Sequence, residues 1–121
     1  MTKVVSRRIP TATYRIQFGP RFGLGDAAAL VPYLAAIGIS DLYAAPILES
    51  NPASSHGYDT TDPTRVRAEL GGEETLSQLT RALKDHGLGL LLDIVPNHMA
   101  ASPHNPWWVS VLRDGQASPF A

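Results

Sequence analysis

The chain has 121 residues, of which 44% are hydrophobic, so it supports one small hydrophobic core and excludes two full domains. Ten Lys and Arg residues against eleven Asp and Glu residues give a net charge of −1, which does not favour binding to nucleic acid or to an anionic membrane. Cysteine is absent, which excludes disulfides and thiolate metal sites, and no apolar run reaches the roughly 20 residues of a membrane-spanning helix. A soluble, cytoplasmic protein is therefore expected.

Two elements are predicted in the first third of the chain. Alternating apolar and polar residues predict a first strand from Thr13 to Phe18. Apolar residues then recur at helical spacing, which predicts a helix with Asp26 as its cap and Gly38 as its stop. Pro32 lies inside this pattern and predicts either a kink or a helix that begins later.

The alternation of strands and helices continues through the rest of the chain. A second strand is expected from Ile39 to Ala45, and the polar segment from Glu49 to Leu70 is long enough to predict a functional loop. A second helix is expected from Gly71 to Gly87. The almost continuous apolar run from Leu88 to Val95 is typical of a strand buried on both faces of a parallel sheet, and a short helix is expected within residues 100–121.

This order predicts an α/β fold with parallel strands, whose functional residues follow the carboxyl ends of the strands. Asp93 lies near the end of the apolar third strand, and a buried carboxylate is costly unless it is paired, so it indicates a polar site. The segment from Ser55 to Asp62 sets Tyr58 among hydrogen-bonding groups, a mixture that suits sugars. Two plainer interpretations stay open: Asp93 caps a loop near an exposed His98, and the Tyr58 segment is an ordinary Asx-turn loop.

Both segments resemble one enzyme family. The sequence from Asp93 to His98 (DIVPNH) resembles the first signature region of glycoside hydrolase family thirteen, the α-amylase family, which lies at the end of the third strand of a (β/α)8 barrel. Gly57 to Asp59 resembles the aromatic segment that the family places after its second strand. Six segments together look like the amino-terminal part of the maltooligosyl trehalose synthases, a branch of this family: Thr13 to Gln17, Tyr43 to Leu48, Ser55 to Asp59, Glu69 to Glu74, Val95 to Ala100 and Asn105 to Trp108.

The resemblance implies a fold and an activity. Residues 1–98 would form the first three β/α units of a (β/α)8 TIM barrel, an incomplete barrel, and residues 99–121 would begin the region inserted after strand three. The activity implied is that of an isomerase, an intramolecular transglucosylase that converts the reducing-end α-1,4 linkage of a maltooligosaccharide to an α,α-1,1 linkage in trehalose biosynthesis. No cofactor is implied.

The resemblance also implies roles for particular residues. Tyr58 would stack on the sugar at the cleaved bond, His98 would hydrogen-bond that sugar's hydroxyls, and Asp93 would hold the charged groups of the site in place. Asp59 is a candidate for the same polar network. The second-rank candidates are His56, Asn97, Trp107 and Trp108.

Some of these candidates have plainer roles. Asn97 matches a calcium-binding position of many α-amylases, but the synthases resembled are not typically calcium enzymes, so no metal is expected. The preferred role of Asn97 is to hydrogen-bond backbone groups of the loop after strand three. His56, Asp59, Asp93 and His98 contain no pair at helical ligand spacing, which argues against metal-assisted hydrolysis. The two tryptophans would line an acceptor site or pack beneath the inserted region.

The chemistry and the chain length together predict an inactive piece of a larger enzyme. Retaining glycosyl transfer needs two carboxyl groups about 5 Å apart. The resembled family supplies them from strands four and five, with a further Asp from strand seven, and a barrel of about 250 residues is required. The isolated chain is expected to be inactive and to expose a sheet edge through which it could self-associate.

The sequence is compatible with two other functions and disfavours a third. A fragment of an α-1,4-glucan hydrolase and a non-catalytic glucan-binding or interaction fragment both stay open. A dinucleotide-binding domain is disfavoured, because Gly23-Leu24-Gly25 lacks the spacing of the phosphate-binding fingerprint.

Overall fold

The structure is a computed structural model that describes residues 8–121. The described chain forms five strands and three α-helices: β1 (Thr13–Ile16), α1 (Leu24–Ala36), β2 (Asp41–Ala44), β3 (Leu48–Ser50), β4 (Thr60–Val66), α2 (Gly72–Asp85), β5 (Gly89–Leu92) and α3 (Pro106–Asp114). Within this part of the chain no helix is long and apolar enough to cross a membrane. The short helix predicted within residues 100–121 is confirmed as α3.

The three predicted strands form one parallel sheet in the order β1-β2-β5. In this register Ile16, Ala44 and Leu92 form one row, so all three strands end at the same edge. The segment with α1 connects β1 to β2, and the segment with α2 connects β2 to β5. This arrangement confirms the α/β class and corresponds to three β/α units of a (β/α)8 barrel.

The hydrophobic core lies between one face of this sheet and the two long helices. Alternate strand residues point to that face, among them Ile16, Leu42 and Ala44, and all three are buried. They belong to the same apolar cluster as Leu34 of α1 and Leu79 of α2. The opposite face carries Arg15 and Tyr43 of neighbouring strands, and no helix in the described chain covers it. The candidate site lies on that uncovered face.

The beginning of α1 differs from the prediction. The helix begins at Leu24, and the Asp26 carboxylate accepts the N–H of Gly23 at 2.8 Å from within the first turn. Pro32 lies inside the helix on an exposed position and does not end it, so the expected later start is wrong. Gly38 ends the helix as predicted, with a φ of +86° that glycine adopts without a steric penalty.

The third parallel strand is shorter and more exposed than predicted. It spans Gly89–Leu92, and Leu91 and Leu92 are 39% and 49% exposed, so the expectation of burial on both faces is wrong. The reason is that β5 pairs with β2 alone in the described chain, which leaves one edge of β5 and one face uncovered.

The segment predicted as a long loop from Glu49 to Leu70 is partly regular. Strands β3 and β4 form an antiparallel pair with two register irregularities, and a 3-10 helix follows at Ala68–Leu70. Only residues 51–59 remain as a loop between the two strands. This loop carries His56, Tyr58 and Asp59 toward the carboxyl end of the parallel sheet.

Candidate functional site

The site forms where the parallel strands end. Asp93 directly follows β5, and its N–H donates to the carbonyl oxygen of Ala44 at 2.9 Å, which continues the parallel ladder by one residue. Since side chains alternate along a strand, Asp93 lies on the same face as Leu91, which is in register with Tyr43 and Arg15. The sheet therefore directs a carboxylate, a phenol and a guanidinium to its uncovered face.

Two tyrosines converge on the Asp93 carboxylate. The hydroxyl of Tyr58 donates to Oδ2 at 2.5 Å, and the hydroxyl of Tyr43 donates to the same oxygen at 3.2 Å. The hydrogen bond to Asp93 raises the pKa of Tyr58, because losing the proton would set a phenolate against a carboxylate. Tyr58 is therefore a protonated donor throughout the neutral pH range.

Arg15 completes this group. Its Nη2 donates to the Tyr58 hydroxyl oxygen at 3.0 Å, and its guanidinium carbon lies 5.6 Å from the centre of the Tyr43 ring, a distance typical of a cation–π contact. The hydrogen bond to Tyr58 is the largest cause of a raised pKa at Arg15. Arg15, Tyr43, Tyr58 and Asp93, called the Asp93 cluster below, carry one formal positive and one formal negative charge.

The loop orients Tyr58 from its other side. The His56 ring stacks on the Tyr58 ring with centroids 5.9 Å apart and an interplanar angle of 23°. His56 Nδ1 accepts the N–H of Tyr58 at 3.0 Å, and the His56 carbonyl accepts from Nε2 of Gln17 at 3.1 Å. The loop is thus attached to the segment after β1. Tyr58 is held at its backbone N–H, at the face of its ring and at its hydroxyl.

Asp59 bonds within the loop itself. Its Oδ1 accepts the Ser54 hydroxyl at 2.5 Å and lies 3.9 Å from His56 Nδ1. Ser54 in turn accepts the N–H of Gly57, and its carbonyl oxygen accepts from Arg67 at 2.9 Å. The Arg67 side chain is only 2% exposed and also pairs with Glu69. Asp59 therefore stabilises the conformation of the loop through contacts within it.

His98 and its neighbours form a separate polar group. His98 is exposed, and its Nδ1 lies 2.9 Å from Asn97 Oδ1. Both residues line a cavity of about 370 Å³, together with Thr60, Pro63 and Trp107. The described residues contain no hydrogen bond between His98 and the Asp93 cluster.

The two tryptophans lie on α3. The Trp107 ring stacks on Phe120, with centroids 5.2 Å apart and an interplanar angle of 8°. Trp107 and Trp108 also line a second, largely apolar cavity of about 280 Å³ with Met99 and Val111. Trp107 therefore packs within the tail of the chain and also borders the cavity beside His98.

The structure brings together a subset of the residues named from the sequence. Tyr58 and Asp93 are in direct contact, with His56 stacked on the tyrosine. Arg15 and Tyr43 were not identified from the sequence. A signal for them existed, because Tyr43 lies two residues before the strand-ending Ala45-Pro46 and Arg15 is a charged residue within a β-prone run. Within residues 8–121 no group of three His, Asp or Glu side chains converges as metal ligands would.

Comparison with known proteins identifies the family. A family model described as "Alpha amylase, catalytic domain" matches residues 23–118, which is most of the chain. The chain belongs to the α-amylase family. The fold agrees, because family members among the solved structures superpose on the three β/α units described above.

Particular relatives place the chain within the α-amylase family. A Mycobacterium tuberculosis protein named "Putative maltooligosyl trehalose synthase" is 44% identical over 117 residues, covering 91% of this chain and 15% of the relative. The solved maltooligosyltrehalose synthase from Arthrobacter ramosus is 48% identical with a TM-score of 0.89, covering 93% of this chain and 15% of that one. An alpha-glucosidase of Culex pipiens is 35% identical over 102 residues, covering 81% of this chain and 17% of the relative. The resemblance to the maltooligosyl trehalose synthases is therefore confirmed, and the chain spans about 15% of their length.

Proposed function

We propose that this chain is part of an intramolecular transglucosylase that acts on maltooligosaccharides. The enzyme would break the α-1,4 bond between C1 of the penultimate glucose and O4 of the reducing-end glucose, so that O4 takes up a proton and becomes a free hydroxyl. It would then join that C1 to O1 of the same reducing-end glucose, which gives up its proton, as an α,α-1,1 bond. The product has the same atoms as the substrate, so no water is consumed and the reducing end is lost. The observation that carries this proposal is the identity of 44 to 50% to maltooligosyl trehalose synthases along nine-tenths of the chain.

The geometry supports sugar binding at the Asp93 cluster. Tyr58 offers an aromatic face, and sugars stack their apolar ring faces on such rings. Asp93 supplies acceptor oxygens, and Arg15 and His56 lie beside the same ring. His98 and Asn97, at the neighbouring cavity, offer further partners for sugar hydroxyls.

The described chain supplies the binding part of this chemistry. Retaining glycosyl transfer requires a nucleophilic carboxylate and an acid/base carboxyl group about 5 Å apart. Asp93 is the one carboxylate in the Asp93 cluster, and two tyrosine hydroxyls occupy one of its oxygens. Asp93 therefore suits the role of a fixed charge that orients neighbouring groups, and the reacting carboxyl groups would come from other parts of a complete enzyme.

Product analysis tests this function. The full-length protein that contains this chain is incubated with maltopentaose in water enriched in oxygen-18, and the products are separated by chromatography and weighed by mass spectrometry. We expect mainly a non-reducing pentasaccharide of unchanged mass, since isomerisation takes no oxygen from water.

Two other outcomes would favour the alternatives. A mixture dominated by glucose and shortened maltooligosaccharides that carry oxygen-18 would favour an α-1,4-glucan hydrolase. Such an activity would agree with the similarity to the alpha-glucosidase relative. Binding of maltopentaose without any turnover would favour a non-catalytic glucan-binding protein.

A further inference from the structure

Arg15 is a charged side chain on the site face, and the described part of the chain offers it no charged partner. Within residues 8–121 its guanidinium makes no ion pair with a carboxylate. Its contacts are the Tyr58 hydroxyl at 3.0 Å, the Gln17 side-chain oxygen at 3.3 Å and the face of the Tyr43 ring. Arg15 thus contacts both tyrosines that hydrogen-bond Asp93, which a surface arginine with no role in the site would not be expected to do.

The hydrogen-bond capacity of Tyr58 explains what Arg15 contributes. A phenol has one hydrogen to donate, and it accepts through its oxygen. An arginine has only donors, and an ionised carboxylate has only acceptors. With Arg15 donating to Tyr58 at 3.0 Å, the Tyr58 hydrogen must point to Asp93, which lies 2.5 Å away. The order of the three groups therefore fixes the direction of the Tyr58 hydroxyl.

We propose that Arg15 is a positioning residue that sets the orientation of the Tyr58 ring through its hydroxyl and through Tyr43. The Tyr58 hydroxyl is held between Arg15 and Asp93, while His56 stacks on the ring. Arg15 also contacts the Tyr43 ring, whose hydroxyl bonds the same Asp93 oxygen. A sugar that stacks on Tyr58 would meet a ring whose plane Arg15 has helped to fix. This inference depends on the proposed function, because it concerns the binding of a sugar at that ring.

A direct contact between Arg15 and the substrate is the competing role. A guanidinium that binds a sugar hydroxyl would act independently of the Tyr58 hydroxyl. A positioning residue acts only through that hydroxyl, so its effect should vanish once the hydroxyl is gone. The two roles are therefore separated by whether the effects of two substitutions are independent.

The experiment is a double-mutant cycle in the full-length protein. Arg15→Met, Tyr58→Phe and the double variant are compared with the wild type for kcat and KM on maltopentaose. We expect Arg15→Met to lower kcat by about tenfold, the effect of losing one hydrogen bond to a charged group, while KM changes little. The double variant should match Tyr58→Phe within about twofold.

Two further variants serve as controls. Arg15→Lys keeps a donor and a charge and should recover most of the lost kcat. Arg113→Met removes an exposed arginine that pairs with the adjacent Asp114 on α3, and it should leave kcat unchanged. Thermal unfolding of every variant should be close to that of the wild type, because Arg15 and Arg113 are exposed and Tyr58→Phe removes only a hydroxyl.

The inference and the proposed function can fail separately. Effects that multiply in the double variant, a change confined to KM, or wild-type kinetics in Arg15→Met would overturn the role of Arg15, whatever products form. If the protein hydrolyses the substrate, the same cycle is measured on hydrolysis, and if it only binds, on the Kd for maltopentaose. A protein that neither converts nor binds maltopentaose overturns both.

Discussion

Tyr58 and His98 are held by the structure in different ways. Tyr58 is half-buried and is fixed by Asp93, Arg15 and the stacked ring of His56. His98 is exposed at the edge of a cavity and bonds only its neighbour Asn97 within the described chain. Neither side chain belongs to the hydrophobic core, so the loss of either should affect binding of a ligand more than folding.

We expect Tyr58→Ala and His98→Ala in the full-length protein each to lower kcat/KM for maltopentaose at least about fivefold. Tyr58→Ala removes the stacking surface, and His98→Ala removes a hydrogen-bond partner for sugar hydroxyls, each of which contributes about 1 kcal/mol or more. Steady-state kinetics with chromatographic product detection measures the loss, and thermal unfolding checks that the fold is retained.

Matched controls are available on the same chain. Tyr33→Ala removes an exposed tyrosine of α1, and His104→Ala removes an exposed histidine before α3, and both should keep wild-type kinetics. Unchanged kinetics in both Tyr58→Ala and His98→Ala would remove the assignment of this site.

The sequence alone identified some residues of this site and missed others. Asp93 stands out as a lone carboxylate in an apolar run, and a buried charge is expensive enough to demand a reason. Arg15 and Tyr43 were missed because both suit an ordinary strand. Their importance arises only when the parallel register places Arg15 beside Tyr43 and puts both on the face of Asp93.

At the scale of elements, the loop at residues 51–59 depends on close backbone contacts. Gly57 has a φ of +81°, and a Cβ at this position would lie 2.9 Å from the carbonyl oxygen of Pro46. That oxygen belongs to buried backbone just after β2, which cannot move away easily. The loop that carries Tyr58 is thus packed directly against the end of the central strand.

We expect Gly57→Ala to lower both kcat and the thermal unfolding midpoint of the full-length protein. The left-handed backbone costs an alanine about 1–2 kcal/mol, and the contact with Pro46 adds to this by shifting the loop. Kinetics on maltopentaose and calorimetry measure the two effects. The shift should displace the adjacent Tyr58 from Asp93.

Gly38→Ala is the matched control for this change. Gly38 has a similar φ of +86°, but a Cβ there would have no neighbour within 4 Å. It should lower the unfolding midpoint only by the cost of the left-handed backbone and leave kcat unchanged. Equal effects of the two substitutions would show that the contact with Pro46 is unimportant.

Elements with local signals were predictable, and those that depend on distant partners were not. Helical periodicity between terminal glycines indicated α1 and α2 because those signals lie within each segment. Strand β3 has only three residues and pairs with β4 through an irregular register, and Pro63 lies within β4. Such a pair is stable only in its tertiary setting, so the sequence alone indicated a loop.

At the scale of the whole molecule, the parallel sheet formed by residues 8–121 is open on one face and at its edges. A (β/α)8 barrel closes eight strands, whereas this sheet has β1, β2 and β5. Leu91 and Ile94 are 39% and 62% exposed on or just after the edge strand β5. The alternation of strands and helices predicted the strand order, but it could not predict these exposures, because burial depends on neighbours that the described chain does not contain.

We expect the purified 121-residue chain alone to form no trehalose-capped product from maltopentaose. The Asp93 cluster provides one carboxylate, whereas retaining transfer needs a nucleophile and an acid/base about 5 Å apart. Circular dichroism should first show a folded chain, and size-exclusion chromatography at several concentrations should monitor self-association through the open edge of β5. Products are then followed by chromatography beside the Tyr58→Ala chain, which controls for a contaminating enzyme. Turnover by the wild-type chain that Tyr58→Ala abolishes would contradict this prediction, and it would mean that residues within these 121 supply the reacting carboxyl groups.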